Sequence, residues 1–161
     1  TEPAAILSQL NQEISSTLNR RLDEGPVRDG LDISLCCFDR KSNELHFSGA
    51  HHTLIIWRNG ELIIHKGERT PIGNGNPDAT YAMHTIDLLE GDMIYLYTDG
   101  FVDQFGGEKG KKYKSVRFRQ LLEKLGKHPI AQQRNMLIRE FESWKGDQEQ
   151  VDDVLVLGTL L

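Results

Sequence analysis

The sequence predicts an α+β fold in which helices accompany antiparallel strands. An amphipathic helix pattern opens the chain, about six strand patterns joined by short turns follow, and two helix patterns precede a final strand. Because the strand patterns are not separated by helices, a parallel βαβ arrangement is disfavoured. The 161 residues suit one domain, which we expect to span residues 1–161.

The composition is that of an ordinary globular protein, with 38% apolar and 27% charged residues. A net charge of −5 argues mildly against a nucleic-acid binder, and no apolar run approaches the length of a membrane span. The adjacent Cys36 and Cys37 should point to opposite faces of a strand, so we expect at least one to be buried. Such a pair suits a reducing compartment better than a disulfide framework. We therefore expect a cytoplasmic protein without nucleic-acid or membrane contact.

An apolar stripe defines the first helix, residues 2–25. Pro3 suits its first turn, and Gly25-Pro26 should end it. The stripe must pack on the sheet of its own domain, on a second copy or on an upstream regulatory segment, and these alternatives stay open. Its members are Ile6, Leu7, Leu10, Ile14, Leu18 and Leu22.

Strand patterns cover most of the residues between 32 and 98. The clearest is a hairpin over residues 53–66, in which Asn59-Gly60 separates two β-rich runs. Lys41-Ser42-Asn43 is a predicted turn between the first two strands. The other predicted strands are residues 32–40, 44–50, 81–88 and 93–98.

Residues 101–115 contain four clustered lysines and are predicted as an exposed loop. A charge run of this kind is usually a solvated face, although it can also attract an acidic or phosphorylated partner. Residues 116–126 and 129–146 are predicted helices that each end at a glycine. Residues 73–78 are predicted to be a plain loop, because no helix or lysine follows them as in a phosphate-binding loop.

Carboxylates stand at the ends of two predicted buried strands. Asp99 follows one strand, and Asp152-Asp153 precede the last one. If these strands are antiparallel neighbours, about 4.8 Å apart, Asp99 and Asp152 lie at one sheet edge and can converge on an ion. Hard oxygen ligands suit Mg²⁺ or Mn²⁺, and Gly100 would provide dihedral angles closed to other residues. Ordinary turn chemistry explains Asp99-Gly100 as well, so both interpretations stay open.

Two other kinds of site are disfavoured. An aspartyl nucleophile usually belongs to a D-x-D pair, but Tyr97 stands two residues before Asp99. His51 and His52 are adjacent on an extended chain and therefore diverge, which favours a structural or surface role over a shared metal.

The chain resembles the SpoIIE-type branch of the metal-dependent serine/threonine phosphatases, the protein phosphatase 2C superfamily. The segments that carry the resemblance follow one another in the order and approximate spacing of that family. They are residues 28–62, "TPIG" at 70–73, "LLEGDMIYLYTDGFVDQFGG" at 88–107 and "QVDDVLVLG" at 150–158.

The resemblance implies an α-β-β-α sandwich of two antiparallel sheets flanked by helices, with a binuclear Mn²⁺ or Mg²⁺ site. It also implies that a metal-activated water attacks phosphoserine or phosphothreonine. Asp99 of the "TDG" segment and Asp152 of the "DD" segment match metal ligands of the family, and Asp153 matches a less direct position.

The chain also departs from the family pattern, because it contains neither the earlier G-D-[FY]-x-D motif nor the G-H-G motif. We therefore expect an N-terminally truncated domain that is inactive or nearly inactive alone. Its unpaired sheet edges would invite strand exchange or a homodimer.

The resemblance implies a parent protein with an upstream sensor or regulatory domain. Its substrate would be a phosphorylated bacterial regulatory protein of the anti-sigma-factor-antagonist type. The alternative is a non-catalytic interaction or dimerisation module with the same fold, in which Asp99 and Asp152 are turn residues.

Overall fold

The structure is a computed structural model that describes residues 2–20 and 30–161. It combines helices with several antiparallel sheets, which confirms the predicted α+β class. In the described part of the chain, no helix has the length and apolarity needed to span a membrane. The helices are α1 Pro3–Arg20, α2 Gly100–Asp103, α3 Ser115–Leu125 and α4 Ile130–Lys145. The strands are β1 Ile33–Asp39, β2 Glu44–Ala50, β3 Thr53–Arg58, β4 Glu61–Lys66, β5 His84–Asp87, β6 Met93–Tyr97, β7 Phe105–Gly106, β8 Lys111–Lys112 and β9 Val156–Leu160.

The chain divides into two compact units, of which the first comprises residues 1–54 and 64–89. Its antiparallel sheet has the strand order β1-β2-β5, and α1 packs on this sheet. Leu7 of α1 is buried with Ala50 and Tyr81, which confirms that the apolar stripe contributes to a core. The prediction was wrong for Ile6, which is 43% exposed. Leu22 and Gly25-Pro26 lie outside the described residues.

A buried polar residue fastens α1 to the loop at residues 73–78. Asn11 is fully buried, and its side-chain amide donates to the carbonyl of Asn76 at 2.8 Å. Its side-chain oxygen accepts a hydrogen bond from the amide of Gly73 at 2.9 Å. The loop is thus held by one asparagine that belongs to the same helical face as Leu7.

Both cysteines are half-buried and free, so the expectation that at least one would be buried was wrong. Burial nevertheless raises the pKa of the Cys36 thiol to about 11. Cys37 pairs across the strands with His46.

The second unit comprises residues 55–63 and 90–161. Its strands belong to a sheet with the order β4-β3-β6-β9, in which β3 and β4 form the predicted hairpin. Asn59 and Gly60 have φ angles of 51° and 94°, as a two-residue hairpin turn requires. Helices α3 and α4 contribute Phe118 and Phe141 to a core that also contains Tyr95 of β6.

Residues 101–115 are structured, so the prediction of an exposed loop was wrong. This segment forms α2 and the small β7-β8 ribbon, and its Phe101 and Tyr113 are buried. The two rings contact each other edge to face at 5.2 Å. The short elements have too few residues to produce a periodic pattern, and their order comes from these aromatic contacts.

Candidate metal centre

The pairing of β6 with β9 organises the predicted carboxylate site. These strands are antiparallel neighbours, and Tyr97 at the end of β6 stands opposite Val156 at the start of β9. Residues that follow β6 and residues that precede β9 therefore lie at the same edge of the sheet, which is the arrangement expected if the two strands are antiparallel neighbours. The last strand begins two residues later than its apolar pattern, which starts at Val154.

Thr98 continues the contact between the two chain segments beyond the last strand pair. Its amide donates to the carbonyl of Leu155 at 3.0 Å, and its hydroxyl donates to the carbonyl of Asp153 at 2.8 Å. The same hydroxyl oxygen accepts a hydrogen bond from the amide of Leu155 at 2.9 Å. One threonine thus fixes the backbone of the segment that carries the paired aspartates.

Gly100 is required by a close approach of the backbone, and not by unusual dihedral angles as the sequence suggested. It begins α2, and its φ lies outside the left-handed region. A Cβ at this position would lie 2.4 Å from the carbonyl oxygen of Asp153 and 3.2 Å from the carbonyl carbon of Asp152. The absence of a side chain therefore allows α2 to begin directly against the aspartate pair.

Asp99 occupies the N-cap position of α2, and its side chain makes no capping hydrogen bond. The residue is exposed, and its carbonyl accepts a hydrogen bond from the amide of Asp103 at 2.9 Å. Within the described residues, no hydrogen bond or ion pair is recorded for the Asp99 carboxylate. The charge is therefore available to a ligand from solvent.

The two aspartates before β9 differ in their contacts, although both are exposed. The carboxylate of Asp152 accepts a hydrogen bond from the amide of Asp153 at 2.7 Å, and its carbonyl accepts one from the Gln150 side chain at 2.8 Å. Asp153 contributes its backbone carbonyl to Thr98. Asp152 is therefore held in a local turn, while Asp153 provides the attachment to β6.

Sequence reasoning missed Gln104, which follows α2 and is fully buried. Its side-chain amide donates to the carbonyl of Glu149 at 2.8 Å, and its side-chain oxygen accepts from the amide of Val151 at 3.4 Å. These contacts fasten the segment that leads into Asp152. The sequence "FVDQFGG" gives no signal for this role, because Gln104 follows the acidic Asp103 and a pattern of this length does not distinguish a buried glutamine from an exposed one.

The donor chemistry of this edge fits a hard divalent cation, since exposed carboxylates come from both chain segments. In the described part of the chain, no group of three or more His, Cys, Asp or Glu side chains is arranged to hold a metal ion. Asp99 and Asp152 thus fit one part of a cation site, for which further ligands must come from water, substrate or additional protein groups.

Comparison with known proteins identifies relatives of this chain. The family model SpoIIE, described as Stage II sporulation protein E, matches residues 1–159. The SiaA-PP2C domain of Pseudomonas aeruginosa is 32% identical and superposes with a TM-score of 0.86. That match covers 99% of this chain and 61% of the other, so the chain spans less than two thirds of this relative. The comparison with curated proteins gave no match.

Two more distant structures share the fold. The catalytic domain of the serine/threonine protein phosphatase PstP, solved in complex with 2 manganese ions, is 16% identical with a TM-score of 0.66; the match covers 98% of this chain and 70% of the other. The RsbU and RsbW domains of Rv1364c from Mycobacterium tuberculosis are 18% identical with a TM-score of 0.63, covering 96% and 45%. The mixed helix and antiparallel sheet architecture described above matches that of these phosphatase domains.

Proposed function

The chain belongs to the SpoIIE family of protein phosphatase 2C-type serine/threonine phosphatase domains, and we propose that it contributes to metal-dependent hydrolysis of phosphoserine or phosphothreonine on a protein. The observation that supports this proposal is the β6–β9 register, which brings Asp99 and Asp152-Asp153 to one sheet edge. Ordinary turn chemistry alone does not require two acidic segments to meet in this way.

In the proposed reaction, water attacks the phosphorus atom and the bond between phosphorus and the serine or threonine oxygen breaks. The leaving oxygen takes up a proton, and inorganic phosphate is released. Asp99 and Asp152 would hold Mn²⁺ or Mg²⁺. A divalent cation at such a site supplies Lewis-acid chemistry, because it lowers the pKa of water and neutralises phosphate charge. Thr98 and Gly100 position the Asp152-Asp153 segment through the backbone of Asp153.

The first test is Mn²⁺ binding, measured by calorimetry on wild-type protein and on Asp99→Asn and Asp152→Asn. Asp103→Asn is a matched control, because Asp103 is an acidic residue at the end of α2 whose carboxylate already pairs with the Lys112 ammonium group at 2.8 Å. We expect both site variants to lose Mn²⁺ binding and the control to retain it. Equal affinity in all four proteins would contradict the assignment and favour the alternative, an interaction module in which these aspartates are turn residues.

The second test is phosphate release from a phosphoserine peptide in the presence of Mn²⁺, with a chelator as the blank. We propose that the 161-residue chain is nearly inactive alone, because the binuclear site that the resemblance implies needs more protein ligands than Asp99 and Asp152 supply. A longer protein that extends over the whole length of the SiaA relative should hydrolyse the peptide, and Asp99→Asn should abolish that activity. Turnover by the longer protein that survives this substitution would contradict the proposal.

For the substrate we propose a phosphorylated regulatory protein of the anti-sigma-factor-antagonist type, under control of a sensor or regulatory domain in the same parent chain. The combination of RsbU and RsbW domains in one structurally similar protein supports a regulatory setting. A homodimer is also proposed, since β9 is an edge strand of its sheet in the described residues and edge strands offer unpaired backbone groups. Sedimentation analysis tests it.

A further inference from the structure

A basic pocket of 640 Å³ lies where the β7-β8 ribbon meets the N-terminus of α3. Glu108 is the acidic side chain among the described residues that line this pocket. The basic pocket is therefore opposite in sign to the net charge of the whole chain, which is −5. Its basic side chains, all of them exposed, are Lys109, Lys111, Lys112, Lys114 and Arg117.

One wall of the basic pocket is built around Trp144. The indole nitrogen donates to the carbonyl of Gln104 at 3.0 Å, and the Trp144 carbonyl accepts from the amide of Gly107 at 2.8 Å. A Cβ at Gly106 would lie 1.9 Å from that carbonyl oxygen, so the Gly-Gly pair allows the indole to approach the ribbon. The guanidinium of Arg117 lies 4.4 Å from the centre of the indole ring. This stacking holds the guanidinium in place and leaves its edges available for hydrogen bonds.

Most of the positive charge in the basic pocket is not compensated internally. Lys112 pairs with Asp103 at 2.8 Å, whereas no ion pair is recorded for Lys109, Lys111 or Lys114 in the described part of the chain. The first turn of α3 contains no acidic residue, and Lys114 occupies its N-cap position without a capping hydrogen bond. A helix N-terminus already carries partial positive charge, so basic residues placed there repel it. A bound anion would relieve this repulsion.

We propose that the basic pocket binds an acidic, Asp- and Glu-rich segment of the protein on which the domain acts. This inference rests on the proposed function and adds a docking site to it, apart from the residues that would engage the phosphoryl group. Carboxylates accept hydrogen bonds from the guanidinium of Arg117 and from the lysine ammonium groups. The indole of Trp144 offers an apolar surface to the methylene groups of the Asp and Glu side chains. The pocket volume suits a few side chains, and the acidic remainder of the chain disfavours a long nucleic acid.

The test uses a fluorescent peptide of about twelve residues in which Glu alternates with Gly and Ser, and binding is followed by anisotropy without added metal. The pocket variant is Lys111→Gln with Lys114→Gln. Its matched control is Lys124→Gln with Lys127→Gln, two exposed lysines elsewhere in the second unit whose replacement changes the net charge equally. Charge-assisted hydrogen bonds are stronger than neutral ones, so we expect the pocket variant to bind the peptide about tenfold more weakly than the wild-type protein. The control variant should bind it at most about twofold more weakly. Binding should also weaken as salt rises from about 50 mM to about 300 mM.

Several results would overturn the inference. One is that the wild-type protein fails to bind the acidic peptide, and another is that both double variants bind it equally weakly. Equal affinity for a neutral Gly-Ser peptide, or higher affinity for a single-stranded oligonucleotide of equal charge, would overturn it as well. Asp99→Asn separates this inference from the proposed function, because it should leave peptide binding unchanged while removing Mn²⁺ binding. Loss of peptide affinity in the pocket variant therefore supports the docking site even if no phosphatase activity is found.

Discussion

The substitution Gly100→Ala tests whether close backbone contact builds the candidate metal centre. At a helical position that is free of contacts, Gly→Ala stabilises a protein by about 0.4–1 kcal/mol. At Gly100 the new Cβ would lie 2.4 Å from the Asp153 carbonyl oxygen, well inside van der Waals distance, and the obstacle is backbone rather than a movable side chain. Overpacking of this kind costs about 1–3 kcal/mol. Whether Gly100→Ala raises or lowers the free energy of unfolding therefore decides between the two expectations.

Urea denaturation gives the free energy of unfolding, and amide hydrogen exchange reports the local effect. We expect Gly100→Ala to lower the free energy of unfolding by about 1–3 kcal/mol. Exchange should accelerate at the amide of Leu155, which donates to the Thr98 hydroxyl at 2.9 Å. Since outer contacts of metal ligands change affinity by about 10–100-fold, Mn²⁺ binding should weaken by a similar factor.

Gly91→Ala is the control, because Gly91 lies before β6 as Gly100 lies after it. Gly91 has φ of +88° and open space where a Cβ would stand, so alanine there meets backbone strain without a clash. We expect a loss of about 1–2 kcal/mol and unchanged exchange at Leu155. Should Gly100→Ala be as stable as wild type, with normal exchange and Mn²⁺ binding, the reasoning about the contact with Asp153 is refuted.

Three further substitutions test other parts of the fold. Asn11→Ala should lower the free energy of unfolding by about 1–3 kcal/mol in urea denaturation, because it leaves the buried Gly73 amide and the Asn76 carbonyl without their side-chain partner. A loss under about 0.5 kcal/mol would contradict the role of Asn11 in holding the loop. Asp92→Asn should cost about 3 kcal/mol, since Asp92 is 1% exposed and pairs with Arg58 through two hydrogen bonds, and an unchanged midpoint would refute this. The variant Cys37→Ser keeps Cys36 as the single thiol, whose pKa of about 11 leaves little thiolate at about pH 8. Alkylation of Cys36 by iodoacetamide should therefore be about 100-fold slower in the folded protein than in urea, and it should accelerate as the pH rises toward 11. Equal alkylation rates in the folded and the urea-unfolded protein would contradict this expectation.

The sequence predicted those parts of the fold that are indicated by residues close together along the chain. Asn59-Gly60 marks a hairpin because few other residues accept positive φ at both turn positions, and the structure has that hairpin. Acidic residues adjoin two apolar strand patterns, so the sequence placed them at one sheet edge on the condition that the strands are antiparallel neighbours, and β6 and β9 are paired in this way. Such signals depend on neighbours along the chain, which a sequence displays directly.

The parts that the sequence did not predict depend on contacts between distant residues. Nothing near Gly106-Gly107 indicates that the indole of Trp144 will pack there, and without that contact residues 101–115 resemble an exposed loop. Asn11 likewise looks like an interruption of an apolar stripe until its loop partners are known. Gly100 was correctly singled out, but for its dihedral freedom, whereas its role depends on the carbonyl of Asp153.

Gln104 connects the candidate metal centre with the basic pocket, and a single substitution can test this connection. Its side chain fastens Glu149 and Val151 ahead of Asp152, and its carbonyl accepts the indole hydrogen bond of Trp144. Gln104→Ala would remove the side-chain partners of the Glu149 carbonyl and the Val151 amide, but would keep the Gln104 carbonyl that accepts the indole hydrogen bond.

Mn²⁺ affinity of Gln104→Ala should therefore fall, while the acidic peptide should bind as it does to the wild-type protein. Both titrations are made on the same preparation, with urea denaturation to verify that the variant is folded. If peptide affinity fell as far as Mn²⁺ affinity, the side chain of Gln104 would support both surfaces together, and separate anchoring through its side chain and its carbonyl would be ruled out.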